Sequence, residues 1–324
     1  MRALWAAITL ISAATQVAAR DPILSFPVDC KLGDDCFIQN YVDADPSAGA
    51  SDFTCGSLSY DGHDGTDIAL ISDMAAKGGV NITPVAPGVV RHIRNDADDH
   101  FFSAPLDYPD GQECGNGLIV DHGGGWESQY CHLRKGSVPV SIGQKVGLQS
   151  ALGQIGMSGL TEFPHLHLTL RKNGRVVDPF NADALIYCGD DQTTSLWATE
   201  PEYQPSGFVN AGFRFNVPDF EVIKWGQAHR PTIEISEGGL VFWAHLFGAQ
   251  AGDIMHLLIR GPNGVFVDHT ETLTSTQARA MRAVGRKLHQ ANSTPGSYHG
   301  TATLLRNGKV VDRAASSTTL KSAP

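Results

Sequence analysis

The chain has 324 residues, room for about two domains. It is 42% hydrophobic and 18% charged, with 35 Gly and 17 Pro, a composition that excludes a disordered chain and favours a loop-rich β protein. A net charge of −10 argues against a nucleic-acid-binding surface, which is normally basic.

Residues 1–19 carry one early Arg2, a short apolar run and the small pair Ala18 and Ala19, the pattern of a secretory signal peptide. No later segment approaches a membrane span. The expectation is an exported chain, periplasmic or secreted, with no membrane anchor. Six cysteines in an exported chain read as disulfides. Cys30 and Cys36 close a short loop and form the easiest pair. Cys55, Cys114, Cys131 and Cys188 allow three pairings, among which the spacing does not choose.

Residues 20–60 read as an irregular lead-in. From 61 to 188, short apolar runs separated by glycine turns ("TDIALI", "GVVRHIR", "NGLIVDH", "ESQYCHL", "SALGQIG", "HLHLTLR" and "RVVDPF") give an antiparallel sheet pattern. A polar stretch with two prolines, 189–216, reads as a linker. Strands resume over 217–314, with a hairpin signal at Asn307-Gly308, and suggest a small immunoglobulin-like β-sandwich. The run "TSTQARAMRAVGRKL" fits helix or strand, and 315–324 reads as a disordered tail. The fold class expected is thus mainly β.

The chemistry-bearing residues cluster in the first of these regions. In "HLHLTL" the period-2 pattern puts His165 and His167 on one strand face. "HDGTD" sets His63 and Asp67 four apart across a glycine, and "QYCHL" contributes His132 from another strand. A catalytic zinc takes three nitrogen or oxygen ligands and leaves a fourth position open. His63, Asp67 and one histidine of the pair would supply the three, with the other histidines beside the open position. Cys131, next to His132, is expected to point away from that cleft and to serve as a disulfide partner.

Residues 62–180 resemble the M23 metallopeptidases, the lysostaphin/LytM-type peptidoglycan endopeptidases. The H-x-G-x-D motif is matched by His63 to Asp67, and the G-N strand motif by "GNGLIVDHG". Y-x-H-L is matched by "YCHL", the glycine-rich linker by "IGQKVGLQSALGQIGMSG", and H-L-H followed by N-G-x-x-x-D-P by "HLHLTLRKNGRVVDPF". The resemblance implies a LytM-type peptidase domain with Zn2+ held by His63, Asp67 and His167, and with His132 and His165 as catalytic histidines. It implies a bacterial hydrolase, a zinc metalloendopeptidase, whose partner is a peptidoglycan peptide. The alternative is a non-catalytic cell-wall-binding regulator of another hydrolase. Which histidine is the general base is left open. The chain departs from the family in a long acidic loop, "NDADDHFFSAPLDYPDGQE", and in Glu162-Phe163-Pro164 before the H-L-H strand.

Overall fold

The computed structural model describes residues 20–100, 111–183, 188, 194–289 and 293–322. The expected signal peptide and residues 101–110 of the acidic loop lie outside them. Up to residue 180 the elements are β1 (Cys36–Asn40), β2 (Thr66–Leu70), α1 (Asp73–Lys77), β3 (Asn81–Ile82), β4 (Gly88–Arg94), β5 (Asn116–Gly123), β6 (Trp126–Leu133), β7 (Lys145–Val146), β8 (Gly153–Gln154), β9 (His165–Lys172) and β10 (Arg175–Val176). Seven strands form an antiparallel sheet in the order β1-β2-β9-β6-β5-β4-β7, and β10 adds to β9. Strand β9 shows why the pattern folds this way. Leu166, Leu168 and Leu170 alternate into the core at 0–1% exposure, while the residues between them take the other face. Asn173 and Gly174, at φ 52° and 77°, make the tight β9–β10 turn that Asn-Gly favours.

The remaining elements are β11 (Gly207–Arg214), α2 (Phe220–Lys224), β12 (Thr232–Glu234), β13 (Gly239–Ala249), β14 (Ile254–Gly261), β15 (Gly264–Thr272), β16 (Gln277–Lys287), β17 (Gly296–Arg306) and β18 (Lys309–Lys321). They form a three-stranded sheet, β11-β13-β16, and a five-stranded sheet, β12-β18-β17-β14-β15. Phe242 and Leu246 of the first sheet share one core with Met255, Leu257 and Leu304 of the second.

Three expectations are corrected and one open reading is decided. The lead-in is not irregular throughout, because β1 extends the main sheet along β2. The linker holds β11, whose Phe213 is fully buried. The tail is ordered over most of its length: β18 runs to Lys321, pairs with β17, and lies parallel to β12, with Leu320 in the core. The ambiguous run is a strand, β16, paired with β13.

The two halves meet along β1. Phe37 stacks on Phe247 with ring centroids 4.6 Å apart, and Gln39 Nε2 donates to the Ala278 carbonyl at 3.3 Å. Val209 and Phe247 accordingly belong to the same core as β2 and β9. Three disulfides join Cys30–Cys36, as expected, Cys55–Cys188 and Cys114–Cys131. No helix among the described residues is long and apolar enough to cross a membrane.

Candidate active site

Strand register assembles the site. Strand β9 lies between β2 and β6, with Asp67 directly opposite His167 and Ala69 opposite His165. Residues opposite one another in an antiparallel pair share a face. Asp67, His165 and His167 therefore project together, and the small Ala69 leaves room for the His165 ring. His63 comes from the turn before β2. Gly65 is required there, since a Cβ would lie 2.6 Å from His167 Nε2 and 2.8 Å from the Leu168 carbonyl oxygen.

The nitrogens and oxygens of His63, Asp67 and His167 converge, with the candidate ligand atoms all within 4.8 Å of one another. His63 Nε2 lies 3.2 Å from both Asp67 Oδ2 and His167 Nδ1, and His167 Nδ1 lies 2.9 Å from Asp67 Oδ1. The opposite edge of each ring is tied down. His63 Nδ1 donates to the Tyr41 carbonyl at 2.7 Å, and His167 Nε2 donates to Asp64 Oδ1 at 3.1 Å. Asn40 Nδ2 donates to Asp67 Oδ2 at 2.9 Å. Two imidazoles and a carboxylate, each oriented from behind, are a donor set that suits zinc.

In a second trio, His132, His165 and His167, the ring nitrogens also lie within 4.8 Å of one another, and it shares His167 with the first. His132 and His165 lie with ring centroids 4.5 Å apart. Each directs Nδ1 to a carbonyl, Ser158 at 2.9 Å for His132 and Phe163 at 2.9 Å for His165, and His165 Nε2 lies 3.4 Å from Asp67 Oδ1.

His132 reaches this face against the pleat. Its neighbour Cys131 stands opposite His167, so regular alternation would turn His132 to the side of the buried Tyr130. The backbone at His132 instead has φ 61°, the left-handed region that a non-glycine residue adopts at a cost. Its N–H donates to the Cys114 carbonyl at 2.9 Å, and the Cys114–Cys131 bridge closes around the same point. The expectation that Cys131 faces away from the cleft is thereby corrected, because the register gives it the face of His167. Its disulfide role stands.

The charges are strongly coupled. Burial alone would raise the Asp67 pKa, but His165 and His63 hold it well below the usual carboxylate range. Burial would lower His167, yet its hydrogen bonds to Asp64 and Asp67 raise it to about 9. His132 is pushed well below the ordinary imidazole value by burial and by His165 and His167, so it is neutral at neutral pH.

Four of the five histidine and aspartate residues line a cavity of about 800 Å³ whose lining also includes Phe220, Lys224 and Arg279. Sequence reasoning missed these three, together with Gln39, Asn40, Asp64 and the Tyr41 carbonyl. Asp64 alone carried a signal, as the variable position inside His63-x-Gly65-x-Asp67.

Residues 61–179 match the model of peptidase family M23. This stretch is an M23 peptidase domain. The M23 domain is similar to part of the peptidoglycan DD-endopeptidase ShyA of Vibrio cholerae, 31% identical over 121 residues, which is 37% of this chain and 23% of that protein. An uncharacterized metalloprotease of Buchnera aphidicola is 32% identical over 69 residues, 21% of this chain and 18% of the relative. The chain thus spans less than a quarter of the length of either curated relative. Among solved structures, a zinc-containing peptidase from Vibrio cholerae matches at 22% identity and TM-score 0.29, covering 45% of this chain and 39% of that one. The catalytic domain of the prophage-encoded M23 protein EnpA from Enterococcus faecalis matches at 20% identity and TM-score 0.32, covering 46% and 92%.

Proposed function

We propose that this chain is a zinc-dependent endopeptidase that hydrolyses peptide bonds in the cross-links or stems of bacterial peptidoglycan, acting outside the cytoplasm. The observation that carries the reading is the convergence of His63, Asp67 and His167 beside a pair of histidines on a large open cavity. His63 Nε2, an Asp67 carboxylate oxygen and His167 Nδ1 are the proposed ligands. Zinc held there would polarise a peptide carbonyl and make water a stronger nucleophile near neutral pH. His132 and His165 act beside it. Both give Nδ1–H to a carbonyl, so in the neutral ring Nε2 is the basic nitrogen that faces the cavity. One takes the proton of the attacking water. The other, once protonated at Nε2, donates to the developing oxyanion or to the leaving amine. The three disulfides agree with an oxidising compartment.

The test is release of soluble fragments from purified peptidoglycan, with zinc measured on the same preparations. His167→Ala is expected to lose both zinc and activity. His165→Ala and His132→Ala are expected to keep near-stoichiometric zinc and lose turnover. Retention of zinc and full turnover by all three variants would refute the assignment. A zinc-loaded wild-type chain that binds peptidoglycan without cutting it would favour the regulator instead.

A further inference from the structure

The cavity that the histidines line also holds a cation from the second half of the chain. Arg279 is on β16, outside the M23 domain, and its guanidinium lies 3.9 Å above the Phe163 ring and 5.4 Å from that of Phe37. Nε donates to Gln39 Oε1 at 2.9 Å. Gln39, itself buried, also donates to the Ala278 carbonyl and so ties the arginine side chain to its own strand. Nη2 is buried and has no hydrogen-bond partner among the described residues. Burial lowers the Arg279 pKa to about 9, which leaves it a cation at neutral pH, and Glu162 and Asp67 act on it only through space. A held, desolvated guanidinium with an unpaired donor is costly unless an anion completes it. Its planar fork fits a carboxylate in particular. Lys224, lining the same cavity, adds a second positive group, already paired with Glu221 at 2.9 Å.

We propose that Arg279 is a specificity-determining residue that binds a carboxylate of the substrate peptide, so that the half of the chain after the M23 domain completes the substrate site. The inference rests on the peptidoglycan endopeptidase reading, since the stems of that polymer carry free carboxylates along the peptide. It also assigns β16 a direct part in substrate selection, although no catalytic motif falls in that half.

The experiment uses the zinc-loaded full chain and two substrates: cross-linked muropeptide dimers with free carboxylates, and the same dimers with those groups converted to carboxamides. The wild type is expected to cleave the amidated dimers with kcat/KM lower by about 10- to 100-fold, mainly through KM, as loss of a hydrogen bond between charged groups implies. Arg279→Gln should abolish the difference, and Arg279→Lys, which keeps the charge without the fork, should restore part of it. A wild type that treats both dimers alike overturns the proposal, whether or not any variant folds. So does an Arg279→Gln chain that keeps the full difference. Calorimetric titration of the metal-free chain with both dimers gives a readout without turnover, and the free-carboxylate form should bind more tightly to the wild type alone. If the zinc-loaded wild type cuts neither dimer, the endopeptidase reading fails, while the binding comparison still decides the role of Arg279.

Discussion

Asp64 is outside the proposed ligand set, yet it supports His167 from behind and holds a proton on it in the metal-free protein. Its Oδ1 accepts from His167 Nε2 at 3.1 Å, and its Oδ2 accepts from Arg171 at 3.1 Å. With Asp67 it raises the His167 pKa to about 9. Metal binding at Nδ1 must expel that proton. Asp64→Ala therefore acts twice, with opposite signs. Loss of an orienting partner behind a metal-bound histidine weakens metal affinity by about 10- to 100-fold. Thr169 Oγ1, also 3.1 Å from Nε2, remains as an acceptor and places the loss near the lower bound, about tenfold. Against this, the variant releases the proton more easily. Below about pH 9, one competing proton costs the wild type up to about tenfold in apparent affinity per pH unit, and the variant loses less. Competition for zinc with a chromogenic chelator, starting from metal-free protein, measures both effects. At about pH 9.5 the variant should bind about tenfold more weakly, and the gap should shrink towards about pH 7. Equal affinities at the higher pH, or a gap that widens on acidification, would refute the reasoning.

Tyr130→Phe removes the hydroxyl that accepts from the Val85 N–H at 2.8 Å and from Ser128 Oγ at 2.9 Å, in a network that continues to His122. Leaving the buried Val85 N–H unpaired should lower stability by about 1–3 kcal/mol in urea unfolding, and a change below about 0.5 kcal/mol would count against the network. Burial raises the Asp178 pKa to about 7, so the folded chain keeps a proton there that the unfolded chain releases near 3.9. Between those values the folded state binds more protons, and stability falls as pH rises. The melting temperature of wild type minus that of Asp178→Asn should therefore fall across the window from about pH 4 to about pH 7, and a flat difference would exclude the shift. Replacing Cys114 and Cys131 by serine opens a bridge of sequence separation 17, worth about 3 kcal/mol of stability, and frees the strained backbone at His132. Turnover should drop while zinc content stays constant, because none of the proposed ligands lies between those cysteines; undiminished turnover would contradict the positioning role.

Most strands of the M23 domain were legible because each repeats the same signal, apolar residues at every second position between glycine turns. Leu166, Leu168 and Leu170 show it fully, and the Asn173-Gly174 turn marks where the run must reverse. The end of β18, residues 315–321, gave no such signal, since of the inward positions Ser316, Thr318 and Leu320 only Leu320 is apolar. Its order comes from pairing with β17 and β12, a long-range property that composition does not carry. The five histidine and aspartate positions were readable from spacing, but the face of Cys131 was not, because the left-handed backbone at His132 cancels the alternation on which such reasoning depends. Arg279 was invisible for a different reason. Nothing local distinguishes it from the neighbouring arginines of β16, and only the packing of Phe163 and Gln39 around it does so.

Strand β1 also limits how small a working piece of this protein can be. The stretch that the family model recognises starts at residue 61, after β1 has ended. Yet Asn40 steadies the carboxylate of Asp67, the Tyr41 carbonyl fixes which nitrogen of His63 faces inward, and Gln39 carries the contact to β16. A fragment cut to the recognisable boundaries would retain every proposed ligand and lose the parts that aim two of them. The exposed edge of β2 would then be free to pair with another copy, which makes aggregation the expected fate of such a fragment. Excision of a functional unit has to begin upstream of Cys36, outside the stretch that the family model matches.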